Sequence, residues 1–175
     1  MDSFRPRQPN EKILRRSLLK AQIRQIQASG KTVVFTNGCF DVLHIGQIRH
    51  LRDARALGDC LVVGINSDES VRALRGGAKP PVTELERAEV IAAFEYVDYV
   101  AIFNELTADN LILEIKPQIY AKRAEYGPEK VPELHTVLSY GGRMEYVGRK
   151  EDHQSPCPVA PIIASPSQIS EGNAS

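Results

Sequence analysis

The sequence predicts an α/β fold: a doubly wound, parallel, five-stranded sheet with helices on both faces. Three observations carry this. Short apolar runs recur along the chain, KTVVFT and CLVVGIN above all, and such runs belong to strands buried on both sides. A segment with helical periodicity separates each run from the next, which is the crossover that parallel strands require. With 175 residues, 42% of them hydrophobic, the chain is long enough to close one substantial core.

The elements follow in order. Residues 1–10 are polar, carry Pro6 and Pro9, and read as a flexible arm. A helix is expected over about 11–28, capped by Asn10, with Leu19, Ile23 and Ile26 on one face and Gly30 just past its end. KTVVFT is the first strand. A helix then runs from about Gly46 to Leu57, and CLVVGIN is the second strand. DESVRAL is a short helix ending in RGG. TELERAEVIAAFEYV opens with Thr83 and Glu86 at capping-box spacing and continues through Ala88, Ile91 and Phe94. VDYVAIF is the third strand, and TADNLILEI a helix stopped before Pro117. QIYAKR is the fourth strand, PELHTVLSYGG a helix with Pro132 at its first position, and RMEYVG the fifth strand. Residues 11–150 thus form one domain. Residues 151–175, with prolines at 156, 158, 161 and 166, read as a disordered Pro-rich tail.

Composition narrows the function. Lysine plus arginine balance aspartate plus glutamate at 22 each, so no basic surface points to nucleic acid. No apolar stretch is long enough for a membrane span. Cys39, Cys60 and Cys157 form no CxxC pair and fit reduced thiols, hence a cytoplasmic setting. Cys39 reads as a small residue in a tight turn.

In a doubly wound, Rossmann-like sheet, ligands bind at the carboxyl ends of the strands, where strand order reverses. The loop after the first strand, TNGCFDVLHIGQ, is therefore the expected site. Asn37-Gly38 turns tightly off the strand and brings backbone N–H groups close to a ligand. Gly46 permits the same approach at a helix start, where unpaired N–H groups and the helix dipole favour an anion. His44 offers a donor to a phosphoryl oxygen. Asp41 is placed to orient His44 or a substrate, and Arg75 and Lys79 to reach the same phosphates.

These residues, with LVVGINSDESV, ERAEVIAAF, VDYVAIF and YAKRAEY in order after them, resemble the blocks of the HxGH nucleotidyltransferases over about residues 11–150. The nearest branch by resemblance is the heptose-1-phosphate adenylyltransferase (ADP-heptose synthase) domain; glycerol-3-phosphate cytidylyltransferase is more distant. The resemblance implies transfer of a nucleoside monophosphate, AMP from ATP or else CMP from CTP, to a sugar phosphate such as heptose 1-phosphate. It implies pyrophosphate release, help from Mg²⁺ with no protein metal ligand assigned, and a homodimer. Thr36, Asn37, Gly38, Cys39 and Phe40 would face the α-phosphate and Asp41 the acceptor phosphate. His44 would hold triphosphate oxygens, Asn66, Ser67 and Asp68 would lie near the nucleotide, and Lys122 near base and phosphates. Arg75 matches a phosphate-binding position or is a solvated helix end. Arg87 matches a family arginine or makes a helix-surface ion pair.

Three positions depart from the family pattern. Gln47 replaces the second histidine of HxGH, with His50 one turn further along the same face. Arg123 and Ala124 stand where glycines are usual. EDHQSPCP stands where a hydroxyl-rich segment normally opens a last helix, leaving Ser155 as its one stand-in, and Pro156 and Pro158 remove backbone donors. The alternative to an active transferase is therefore a degenerate member that binds nucleotide or a partner protein.

Overall fold

A computed structural model describes residues 7–124 and 131–148. The elements are α1 (Pro9–Lys12), α2 (Arg16–Ala28), β1 (Val33–Gly38), α3 (Ile45–Arg55), β2 (Cys60–Asn66), α4 (Asp68–Leu74), α5 (Glu84–Ala92), β3 (Tyr99–Phe103), α6 (Asp109–Ile115), β4 (Ile119–Arg123), α7 (Leu134–Ser139) and β5 (Arg143–Val147). The five strands are all parallel, in the order β3-β2-β1-β4-β5.

Strand periodicity sorts the apolar residues into two cores. Val33 and Phe35 of β1, with Val62 of β2, face one layer built from Leu19 and Ile23 of α2 and Leu111, Ile112 and Ile115 of α6. Val34 of β1, with Leu61, Val63 and Ile65 of β2, faces the other layer, built from Leu51 and Ala54 of α3 and Ala88, Ile91 and Ala92 of α5. Both faces are thus covered, which is why β2 is buried along its whole length. At Gly64 a Cβ would meet the Phe35 ring at 2.7 Å, so glycine there lets the aromatic ring cross the neighbouring strand.

The expected helix over 11–28 is two pieces. α1 ends at Lys12, Ile13 bridges to Val100 on the outer side of β3, and the Leu14 N–H donates to the Val100 carbonyl at 2.9 Å. Asn10 lies inside α1 instead of capping a longer helix. The pairing with β3 satisfies backbone groups that a continuous helix would have spent internally. Of the expected arm, residues 1–6 lie outside the described residues. Arg7 pairs with Asp98 at 3.2 Å and lies over the Tyr99 ring. α5 stops at Ala92, short of the predicted end near Val97, because the Asp98 N–H must reach the Leu61 carbonyl to start β3. α7 begins at Leu134, with Pro132 and Glu133 in the turn before it, not at the first helical position. The expected tail, residues 151–175, lies outside the described residues.

Candidate active site

β1 leads to β2 and β3 on one side, while β4 and β5 occupy the other, so the strand order reverses between β1 and β4. A cavity of about 400 Å³, the size of a small-molecule site, opens where their carboxyl ends lie side by side. Asn37 joins the two strands there. Its Oδ1 accepts from the Tyr120 hydroxyl at 2.6 Å and from Lys122 Nζ at 3.0 Å. The Lys122 ammonium also lies 5.0 Å from the centre of the Tyr120 ring, over its electron-rich face.

The loop after β1 is held by charge. Phe40 is buried and adopts a left-handed backbone, φ 49°, a conformation costly for an aromatic residue and paid for by the contacts around it. The preceding residue is fixed by Arg87, whose side chain is 1% exposed: Nη1 donates to the Cys39 carbonyl, Nη2 to Asp68 Oδ1 at 2.7 Å and Nε to the Val82 carbonyl at 3.2 Å. Arg87 therefore supports the loop from below instead of facing the cavity. Asp41 pairs with Arg75 at 2.6 Å, and that hydrogen-bonded guanidinium holds the Asp41 carboxyl below the usual carboxylate range. Burial pushes the Cys39 thiol up, which suits a turn residue and not a nucleophile.

α3 starts at the same loop. His44 is its N-cap, with Nδ1 accepting from the Gly46 N–H at 3.2 Å, and the Gln47 side-chain carbonyl accepts from the His44 N–H at 3.3 Å. The glutamine thus completes a capping box, and its amide still lines the cavity. Ser67 caps α4 by accepting from the Ser70 N–H at 3.1 Å, and Asn66 Nδ2 donates to Ser70 Oγ at 2.9 Å.

Of the expected site residues, Thr36, Asn37, Gly38, Cys39, Phe40, Asp41, Gln47, Asn66 and Lys122 line the cavity. Those outside the lining are His44, Gly46, Ser67, Asp68, Arg75 and Arg87, which shape its walls by capping and ion pairing, as above, and Lys79, which is exposed. Ser155 and the segment EDHQSPCP lie outside the described residues, as do Glu125–Lys130. The cavity gains Leu74, His50, Leu106, Thr107, Arg123, Pro132 and Glu133. Arg123, at a position where the resemblance implied glycine, thus lines the cavity. His50 Nε2 is 2.8 Å from Thr36 Oγ1, the ring is 4% exposed, and Nδ1 has no hydrogen-bond partner among the described residues. Burial, with Arg123 and Lys122 nearby, lowers its pKa to about 4, so the ring is neutral. Glu133 is 3% exposed and 3.9 Å from Lys122. The sequence signal for His50 was its place one turn beyond Gln47; Glu133, in a polar run, gave none.

A family model described as cytidylyltransferase-like matches residues 35–154, a stretch that contains every cavity wall. Among curated proteins the chain is similar to "Bifunctional protein HldE" of Pelobacter propionicus, at 50% identity over 138 residues, covering 79% of this chain and 28% of that protein. The protein of the same name from Geotalea uraniireducens is 48% identical over 136 residues, 78% of this chain and 28% of the relative. The chain thus spans a little over a quarter of the length of these relatives. Among solved structures it is similar to a lipopolysaccharide core biosynthesis protein from Thermoplasma volcanium, at 25% identity and a TM-score of 0.58, covering 69% of this chain and 99% of that one.

Proposed function

The chain belongs to the cytidylyltransferase-like family of nucleotidyltransferases, and from that premise we propose that it transfers AMP from ATP to a sugar phosphate, heptose 1-phosphate being the acceptor we favour, with release of pyrophosphate. The observation that carries this reading is Lys122, held by Asn37 at the strand-order reversal, in a small-molecule cavity beside the start of α3. Two neighbouring basic side chains, Lys122 and Arg123, on the wall of one cavity are what a triphosphate requires.

In this reaction a phosphate oxygen of the acceptor forms a bond to the α-phosphorus while the bond from that phosphorus to the bridging oxygen of pyrophosphate breaks. The electron pair and negative charge leave with pyrophosphate. No side chain needs to form a covalent intermediate, so the protein's work is alignment and charge stabilisation. In our reading Lys122 and Arg123 neutralise phosphate oxygens, the Gln47 amide donates to one of them, and the backbone of 36–40 lies against the α-phosphate. Among the described residues no group of three or more His, Cys, Asp or Glu is gathered to hold a metal ion, so we assign Mg²⁺ to the triphosphate, where it offsets negative charge. Among those residues no helix is long and apolar enough to cross a membrane.

Titration calorimetry with ATP and CTP, with and without Mg²⁺, tests the pocket, and pyrophosphate release with heptose 1-phosphate tests the reaction. Saturable ATP binding and acceptor-dependent release are expected. Binding without release at high enzyme concentration favours a nucleotide-binding relative that has lost the chemistry. No heat with either nucleotide refutes the proposal.

A further inference from the structure

We propose that Glu133 is a positioning residue whose carboxylate keeps the Lys122 ammonium charged and aimed into the cavity. Lys122 has 15% of its side chain exposed, and Glu133 Oε2 lies 3.9 Å from Nζ. That separation is an ion pair without a hydrogen bond, and no other hydrogen bond reaches Oε2 among the described residues. The other oxygen, Oε1, accepts from the Ala108 N–H at 3.3 Å.

The pattern separates the structural task of Glu133 from its charge. A glutamine would serve the Ala108 N–H equally well through its side-chain carbonyl, so holding the start of α6 does not require a carboxylate. Burying an ion with one unsatisfied oxygen is costly, and the cost is offset by a cation that would otherwise be stranded. Lys122 needs that help. Burial lowers its pKa, and Glu133 is the foremost opposing influence. Asn37 supplies a neutral acceptor and Tyr120 a ring face; neither carries charge. The other titratable groups on this wall are Cys39 and Asp41 after β1, His50 on α3 and its neighbour Arg123 on β4; Asp41 is already paired with Arg75 at 2.6 Å, and the other three supply no anion at neutral pH. Glu133 is therefore the carboxylate on which the charge of Lys122 depends.

The experiment reads the lysine directly and needs no ligand. In protein labelled with ¹³C at lysine Cε, the Lys122 resonance is assigned by its loss in Lys122→Arg and followed from pH 6 to 11. In the wild type it should report an ammonium at pH 7.5, and a neutral amine there overturns the proposal whatever Glu133→Gln shows. In Glu133→Gln its midpoint should fall by about one to three pH values, as expected for losing an opposite charge at this range; superimposable titrations overturn it. The role in nucleotide binding rests on the transferase reading above. It predicts that Glu133→Gln weakens ATP binding more at pH 9 than at pH 7, and that adding Lys122→Arg to that variant removes the pH dependence. If ATP fails to bind the wild type at any pH, the transferase reading falls while the lysine titration still decides the electrostatic claim.

Discussion

Acidification should destabilise this fold through His50, and replacing that residue should remove the effect. The ring is buried and neutral, with a pKa lowered from 6.5 to about 4. In the unfolded chain it regains its ordinary value, so between pH 6.5 and 4 the unfolded state binds more protons than the folded one. Stability therefore rises with pH across that window and is lost as pH falls through it. The difference between the two values corresponds to about 3 kcal/mol once both states are protonated, and to about 2 kcal/mol at pH 5. His50→Gln keeps an amide within reach of Thr36 but does not titrate. Urea unfolding of both proteins at pH 8 and pH 5 measures the effect. The wild type should lose about 2 kcal/mol more than the variant between the two pH values. Equal losses would refute the reasoning and show that His50 is not the group resisting protonation. The same burial means that His50 cannot supply a positive charge beside Gln47, although it lies on the same helix face.

Two further outcomes follow from the site. Arg87→Met leaves the Cys39 and Val82 carbonyls and the Asp68 carboxylate without their donor, and should cost about 2–4 kcal/mol of stability in thermal or urea unfolding; an unchanged midpoint would mean the loop after β1 stands without it. Gln47→His places a chargeable donor at the cavity wall and should raise turnover by about 30-fold in a pyrophosphate-release assay, while loss of the α3 capping box should cost about 1 kcal/mol of stability; a rate within twofold of wild type would show that position 47 does not limit the reaction.

The elements most easily read from the sequence were those whose own residues dictate them. Val33–Phe35 and Leu61–Val63 are apolar whichever side they face, so β1 and β2 needed no tertiary information. The Thr83–Glu86 capping box forms as its spacing predicts, with the Thr83 N–H donating to Glu86 Oε2 at 3.1 Å. Ile13 and Leu14 misled because they fit a helical period, while the pairing that claims them depends on Val100, far away in sequence. The floor of the candidate site was legible for the same reason as β1: Asn37 to Asp41 follow directly from a buried strand. The opposite wall was not. Glu133 reads as an ordinary surface carboxylate, and only the folding of the turn before α7 against β4 brings it to Lys122. Arg87 matched a family position, but the sequence could not say that its guanidinium would turn toward backbone carbonyls.

The bridge from Ile13 to Val100 bears on how this protein behaves in company. An open sheet ends in two strands whose outer backbone groups can recruit a strand from another molecule. Here the outer side of β3 is already engaged by the chain's own N-terminal segment, while β5 on the opposite margin carries the exposed, mutually paired Arg143 and Glu145. Among the described residues, one margin is guarded by hydrogen bonding and the other by charge. Trimming the residues before α2 should bare the first margin, so that light scattering reports more self-association in the shortened protein although no residue of the cavity lining has been removed.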